Sequence, residues 1–255
     1  MRFMGKLSGK IAIVTGASSG VGAGVAKVLA INGASIVLCA RRQEKLDQIR
    51  QEIEKQEIEG EILTVTCDVS DEAQIQHVVD ETIARFHTVH ILVNCAQGAM
   101  LYRPIEEIDT DYALLAYKTG PLASLKFMQR CFPYMKENHW GRIINTASAA
   151  GYDGNNGFGA YGMAKEAIRA ITRTAANEWG QYGITTNVFL PIIATENFRT
   201  TQPEALKALE SRSPLHRIGT TEEDCGPIIA FLASEDSGYL NGQSFMLDGG
   251  LHMHS

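Results

Sequence analysis

Residues 11–15 (IAIVT) form a short β-branched run that stops at Gly16-Ala-Ser-Ser-Gly20-Val-Gly22, and a helical apolar pattern follows to about Asn32, closed by Gly33. Strand, glycine turn and helix in that order make the first unit of a fold in which a buried strand is crossed by a helix. The alternation then repeats: strand 35–40, helix 43–58, strand 61–66, helix 71–86, strand 90–94. A long helix is expected over 111–137, bent near Pro121, then strand 142–146, helix 159–180 and strand 184–190. An irregular stretch from Pro191 to Thr220, a helix over 221–233 and a strand over 243–247 complete the pattern. Strict alternation with strands that are apolar on both faces predicts an α/β fold, a parallel sheet covered by helices on both sides.

Composition narrows the class. With 255 residues, 45% apolar and 20% charged, the chain is long enough for one large domain and too apolar for disorder, and no linker divides residues 1–255. A net charge of -6 gives no reason to expect nucleic acid or an anionic membrane as partner. The five cysteines (Cys39, Cys67, Cys95, Cys131, Cys225) are widely spaced with no C-x-x-C pair and read as reduced thiols of a cytoplasmic protein. No apolar h-region opens the chain, and no run approaches the roughly 18 apolar residues of a membrane span. The seven histidines lack ligand spacing; His252 and His254 read as a solvated tail, so no metal is expected.

In parallel sheets of this kind, ligands bind beyond the carboxyl ends of the strands. Gly16, Asn94, Ser148 and Pro191 all fall there, and the 191–220 stretch is placed to act as a lid over them. The glycine turn, with Ser18, Ser19, Gly20, Val21 and Gly22, can bring backbone N–H groups against a pyrophosphate. At the end of the second strand an NAD site usually carries an acid; here Ala40 is followed by Arg41 and Arg42. Guanidinium groups pair with a 2'-phosphate where an acid repels it, so the cofactor is expected to be NADP. Asp68 is placed either for the adenine amino group or as a helix cap.

Further on, Ser148 follows a strand, and Tyr161 and Lys165 lie four apart on one helical face. A neighbouring ammonium favours the phenolate, which is expected to bring Tyr161 toward an acid/base working near neutral pH. Ser148 can then hold a substrate oxygen beside the phenol.

Thr15 to Gly22, Asp68, Asn94 and the Ser148, Tyr161, Lys165 set together resemble the short-chain dehydrogenase/reductase family, a likeness that extends to Leu240-Asn-Gly-Gln-Ser-Phe-Met-Leu-Asp-Gly-Gly250. The resemblance implies a single Rossmann-like, doubly wound domain, commonly a homotetramer, that interconverts secondary alcohols and ketones. Tyr161 would donate and accept the proton, Lys165 would hold the nicotinamide ribose and bias Tyr161, and Ser148 would orient the carbonyl. The same likeness places Val69, Asn94, Ala96, Ile193 and Thr195 at the cofactor.

Three departures from the family pattern stand out. Asn94-Cys-Ala-Gln97 ends in Gln97 where a glycine is usual, which puts a polar side chain toward the substrate. The family's catalytic Asn falls on Tyr117, whose hydroxyl could relay a proton or reach the substrate. The usual Pro-Gly is Pro191-Ile192. These departures, with Thr195-Glu-Asn-Phe198 and the Ala175 to Gly180 stretch, resemble the bacterial 12α-hydroxysteroid dehydrogenases, which implies a bulky apolar bile acid substrate touching Phe198. Leu190, Ile192, Ile193, Phe198, Leu206 and Leu209 would give the lid an apolar lining. The alternatives are a 3-oxoacyl carrier-protein reductase, whose basic docking positions would fall near Pro133 and Asn177, and a non-catalytic NADP-binding regulator.

Overall fold

The computed structural model describes residues 5–98 and 102–253. Seven strands form one sheet: β1 (Ile11–Thr15), β2 (Ser35–Ala40), β3 (Ile62–Thr66), β4 (Ile91–Asn94), β5 (Gly141–Thr146), β6 (Ile184–Pro191) and β7 (Ser244–Leu247). Their order is β3-β2-β1-β4-β5-β6-β7, and every neighbouring pair is parallel. The order reverses direction between β1 and β4, so the loops after these strands part and leave a crevice above them.

Successive side chains of a strand point to opposite faces, and β1 uses both. Ala12 and Val14 pack with α1 (Gly20–Ile31), α2 (Gln43–Glu54) and α10 (Gly226–Leu232), whereas Ile13 packs with α3 (Glu72–Phe86) and α5 (Ala123–Glu137). This is why the strands read as apolar without alternation. The helix α7 (Gly159–Trp179) buries Ala160, Ala164, Ile168, Thr172 and Ala176, a stripe at four-residue spacing of mostly small side chains that lets it lie close to the sheet.

The expected long helix over 111–137 is α4 (Thr110–Tyr117) joined to α5 by a π-turn over Lys118–Leu122. Pro121 lies inside that turn and has no N–H to give to the helical ladder, which accounts for the break in α-helical bonding. Two segments differ from expectation. The 191–220 stretch is not irregular: it holds α8 (Glu196–Thr201), capped by Thr195, and α9 (Pro203–Arg212), with Pro203 at its first position. A short helix, α6 (Ala149–Asp153), follows Ser148 directly.

Candidate active site

At the end of β1 the backbone of Gly16 turns with φ +68°, and a Cβ there would lie 2.9 Å from the backbone nitrogen of Ala96. A Cβ at Gly22 would lie 2.5 Å from the Gly16 carbonyl oxygen, so the turn closes against the start of α1 only without side chains. The N-cap Ser19 makes no side-chain capping bond, leaving the first-turn N–H groups open to an anion. Across the crevice, Thr15 Oγ1 accepts from the backbone nitrogens of Cys95 (3.1 Å) and Ala96 (3.0 Å), which fixes the path of the chain leaving β4.

These strand ends border a cavity of about 530 Å³. Gly16, Ser18, Ser19, Gly20, Val21 and Gly22 line one end, with Arg41, Arg42, Asp68 and Val69 beside them. Ala96, Gln97, Ser148, Tyr161, Lys165, Ile193 and Thr195 line the other. Arg41 and Arg42 are exposed and form no ion pair among the described residues, while the charge of Arg41 contributes to holding Asp68 below the usual carboxylate range. The larger cause of that shift is the backbone and side-chain hydrogen bonding of Ser70 to Asp68. The cap of α3 is Asp71, which accepts from Ala73 and Gln74, so the capping alternative for Asp68 is not realised.

The three residues of the proposed chemistry come together at the ends of β5 and α7. Ser148 caps α6, accepting from Ala150 N at 3.2 Å, and its side chain hydrogen-bonds the Tyr161 phenol. Lys165 Nζ lies 5.5 Å from the centre of the Tyr161 ring and donates to the Thr146 carbonyl at 2.8 Å. The electrostatics differ from the sequence expectation. Burial raises the Tyr161 phenol above its ordinary value, an effect the Ser148 hydrogen bond only offsets in part, and no lowering by Lys165 accompanies it. Burial also brings Lys165 down to about 8. Desolvation disfavours both charged forms here and is the largest cause of each shift.

Three expected site residues, Asn94, Tyr117 and Phe198, lie off the cavity lining, as do Leu190, Ile192, Leu206 and Leu209 of the expected apolar lid lining. Asn94 is buried beneath it and donates to Asn145 Oδ1 at 2.8 Å, part of a chain in which Asn145 donates to Thr172 at 2.9 Å. Tyr117 packs with Tyr112, Ala116, Ala160 and Ala164. Phe198 packs within the lid against Ala194, Leu206 and Ile218, and Leu190 packs under the sheet end with Ala147, Ile168 and Val188. His252 is not a solvated tail residue, because Asp153 and Asp248 each hold one of its ring nitrogens; His254 lies outside the described residues. Residues not expected from sequence also line the cavity, among them Cys95, Thr119, Thr146, Glu196 and Asn197. Glu196 and Asn197 directly follow Thr195, so capping of a helix by Thr195 was the signal for them.

Gln97 replaces a glycine with a fixed amide. Its Nε2 donates to Gly98 O (2.8 Å), Ala116 O (3.3 Å) and Thr119 Oγ1 (3.4 Å), while the Thr119 hydroxyl donates onward to Leu115 O. Among the described residues only acceptors surround that end, which determines the amide orientation, and Oε1 is buried against Gly120 with no hydrogen-bond partner among them.

Comparison with known proteins agrees with this geometry. Residues 16–252 match a family model of the short-chain alcohol dehydrogenase type, described as enoyl-(acyl carrier protein) reductase. The chain belongs to the short-chain dehydrogenase/reductase family. It is 36% identical over 258 residues to a 12alpha-hydroxysteroid dehydrogenase of Clostridium sp. (strain ATCC 29733 / VPI C48-50), covering 97% of this chain and 98% of that one. It is 32% identical over 250 residues to a 3-oxoacyl-[acyl-carrier-protein] reductase of Thermotoga maritima, covering 96% and 99%. The solved structure of a short-chain type dehydrogenase/reductase from Mycobacterium ulcerans superposes with a TM-score of 0.89 at 27% identity, covering 96% of this chain and 90% of that one. As a member of the family the chain is an oxidoreductase of alcohol and ketone substrates that uses a nicotinamide cofactor. Among the described residues no helix is long and apolar enough to cross a membrane, and no cluster of three or more His, Cys, Asp or Glu could hold a metal.

Proposed function

We propose that the chain interconverts a bulky, apolar secondary alcohol and its ketone with NADP, a bile acid 12α-hydroxyl being the substrate that fits best. The observation that carries the chemistry is the convergence of Ser148, Tyr161 and Lys165 in the same cavity as the glycine turn and Arg41 and Arg42. The glycine turn would hold the pyrophosphate, Arg41 and Arg42 the 2'-phosphate, and Lys165 the nicotinamide ribose. The residues present fit that group: the turn has no room for a Cβ at Gly22, and Ala40 brings no acid to the phosphate.

When bound, the cofactor supplies or accepts the hydride at the carbinol carbon. The Tyr161 phenol, already protonated at neutral pH at its ordinary value and raised further by burial, donates its proton to the carbonyl oxygen during reduction. Ser148 takes Ala150 N on its oxygen and keeps its hydroxyl proton for the phenol or the substrate oxygen. In oxidation the phenolate receives the alcohol proton, so alkaline pH favours that direction. The steroid reading is supported by the likeness to the Clostridium enzyme and by 32% identity to a 7alpha-hydroxysteroid dehydrogenase of Paraclostridium sordellii over 98% of this chain.

The test is the initial rate of nicotinamide reduction with deoxycholate, with NADP and NAD offered in parallel at equal concentration. Turnover with NADP and a ketone at C12 is the expected result. Reduction of a small β-keto ester with no turnover of deoxycholate discards the steroid substrate and favours the 3-oxoacyl reductase reading. Tight NADP binding with no turnover of any carbonyl favours the regulator.

A further inference from the structure

The C-terminal segment joins two walls of the cleft through one imidazole. His252 Nε2 lies 2.7 Å from Asp153 Oδ2, and its Nδ1 lies 2.7 Å from Asp248 Oδ2. Asp153 is the last residue of α6, the five-residue helix that Ser148 caps. On the other side, Leu251 packs with the lid residues Ala194, Leu206 and Ile218, and Ser213 donates to the Gly249 carbonyl at 3.4 Å. Residues 248–252 therefore form a strap from the lid to the helix that presents Ser148.

The chemistry of the strap depends on a proton. A carboxylate only accepts hydrogen bonds, and a neutral imidazole has a single N–H, so the ring satisfies both carboxylates only when both nitrogens are protonated. Asp248 is buried and held independently, accepting from the backbone nitrogens of Gly250 and His252 at 2.9 Å each. Loss of the second proton therefore falls on the bond to Asp153. Of the other charges on these walls, Arg169 pairs with Glu166 on α7 and lies over the Tyr152 ring, Arg217 pairs with Asp224 on the lid side, and Arg199 of the lid donates to the Ala194 carbonyl, while Glu196, Glu210 and Arg212 form no ion pair among the described residues.

We infer that His252 is a positioning residue: the Asp153–His252–Asp248 clamp fastens the Ser148 helix to the strap, and the substrate is gripped while the imidazole carries both protons. The inference rests on the reading of Ser148 as a substrate contact. The clamp acts on the helix that presents Ser148 and holds no residue of the glycine turn, so the effect falls on KM for the carbonyl substrate, and on kcat to the extent that Ser148 also holds the Tyr161 phenol, and not on cofactor affinity.

The experiment measures kcat and KM in the reductive direction from pH 6 to 8.5 for the wild type, His252→Gln and Asp153→Asn, with hydrogen exchange of residues 149–158 followed at the same pH values. In the wild type KM rises roughly five-fold across this range, about the size of one partly exposed hydrogen bond to a charged group. In His252→Gln it is high already at pH 6, and any step that remains near pH 8 belongs to Lys165 and is not accompanied by a change in protection. In Asp153→Asn it is low and otherwise flat, because a carboxamide can donate to the unprotonated nitrogen or accept from the protonated one. Protection of residues 149–158 otherwise follows KM in all three. If His252→Gln keeps the wild-type pH step in KM and the wild-type protection, the clamp is overturned. Exchange requires no turnover, so a wrong substrate assignment leaves the protection data to decide the clamp alone.

Discussion

Lys165 and Thr146 are joined by a 2.8 Å hydrogen bond from the ammonium to the carbonyl of the last residue of β5, and that ammonium has no carboxylate partner among the described residues. A buried cation with a neutral acceptor is destabilising for the fold. Thr146 O replaces one water; the remaining hydration is lost.

The cost has a defined pH dependence. Lys165 titrates at about 8 in the folded chain against 10.5 for an ordinary lysine. Between those values the unfolded chain binds more protons, so stability rises with pH across that window, and the penalty is fully present below it. At 1.36 kcal/mol per pKa unit the penalty is roughly 3 kcal/mol. Lys165→Met removes it and leaves the Thr146 carbonyl unpaired, so the variant is expected to be more stable than the wild type at pH 7 by about 1–3 kcal/mol. The advantage shrinks toward pH 10, and turnover is lost. Urea unfolding at pH 7 and pH 10 measures both; a variant less stable than the wild type at pH 7 would remove the argument that this lysine is kept for chemistry at the expense of the fold.

Cofactor choice gives a second prediction. Arg41 lines the cavity, and its charge acts on Asp68 beside it. Arg41→Ala is expected to weaken NADP binding by roughly ten- to a hundred-fold, the scale of a hydrogen-bonded charge pair, and to change NAD binding by less than about three-fold. Titration of the free protein with both oxidised cofactors checks it, and equal losses for the two would sink the 2'-phosphate assignment.

Sequence showed the sheet and the cavity floor because parallel strands buried on both faces leave a strong signal, and because a turn as tight as Gly16 to Gly22 excludes side chains. It was poor where the structure depends on a local exception. Alignment put Tyr117 at a catalytic position, but the π-turn over Lys118–Leu122 breaks the α-helical register, and Thr119 reaches the cavity while Tyr117 packs on α7. The protonation of Tyr161 was misjudged for another reason: the i, i+4 spacing shows the ammonium, whereas burial, which decides the shift, is a tertiary property. The helices α8 and α9 carried legible signals in Thr195 and Pro203, but each is short enough to pass for a loop. The contact of His252 with Asp153 was invisible because the two lie about a hundred residues apart in the chain, whereas Asp248 lies only four residues before it.

Gln97 and Gly120 form a coupled pair that supplies the third prediction. A Cβ at position 120 would lie 2.6 Å from Gln97 Oε1, and the three nearest atoms to it all belong to Gln97. Gly120→Ala therefore forces the amide to move and to give up its bonds to Gly98, Ala116 and Thr119, at a cost of roughly 1–2 kcal/mol. With Gln97→Gly in place the same substitution meets nothing at that distance, and alanine is favoured over glycine in a helical backbone by about 0.5–1 kcal/mol. The effect of Gly120→Ala is thus expected to change sign, destabilising in the wild-type background and stabilising in the Gln97→Gly background. A double-mutant cycle read by denaturant unfolding measures the coupling. Additive effects would mean that Gln97 is not seated as described, and that the glycine usual at its position was replaced without consequence for the helix it faces.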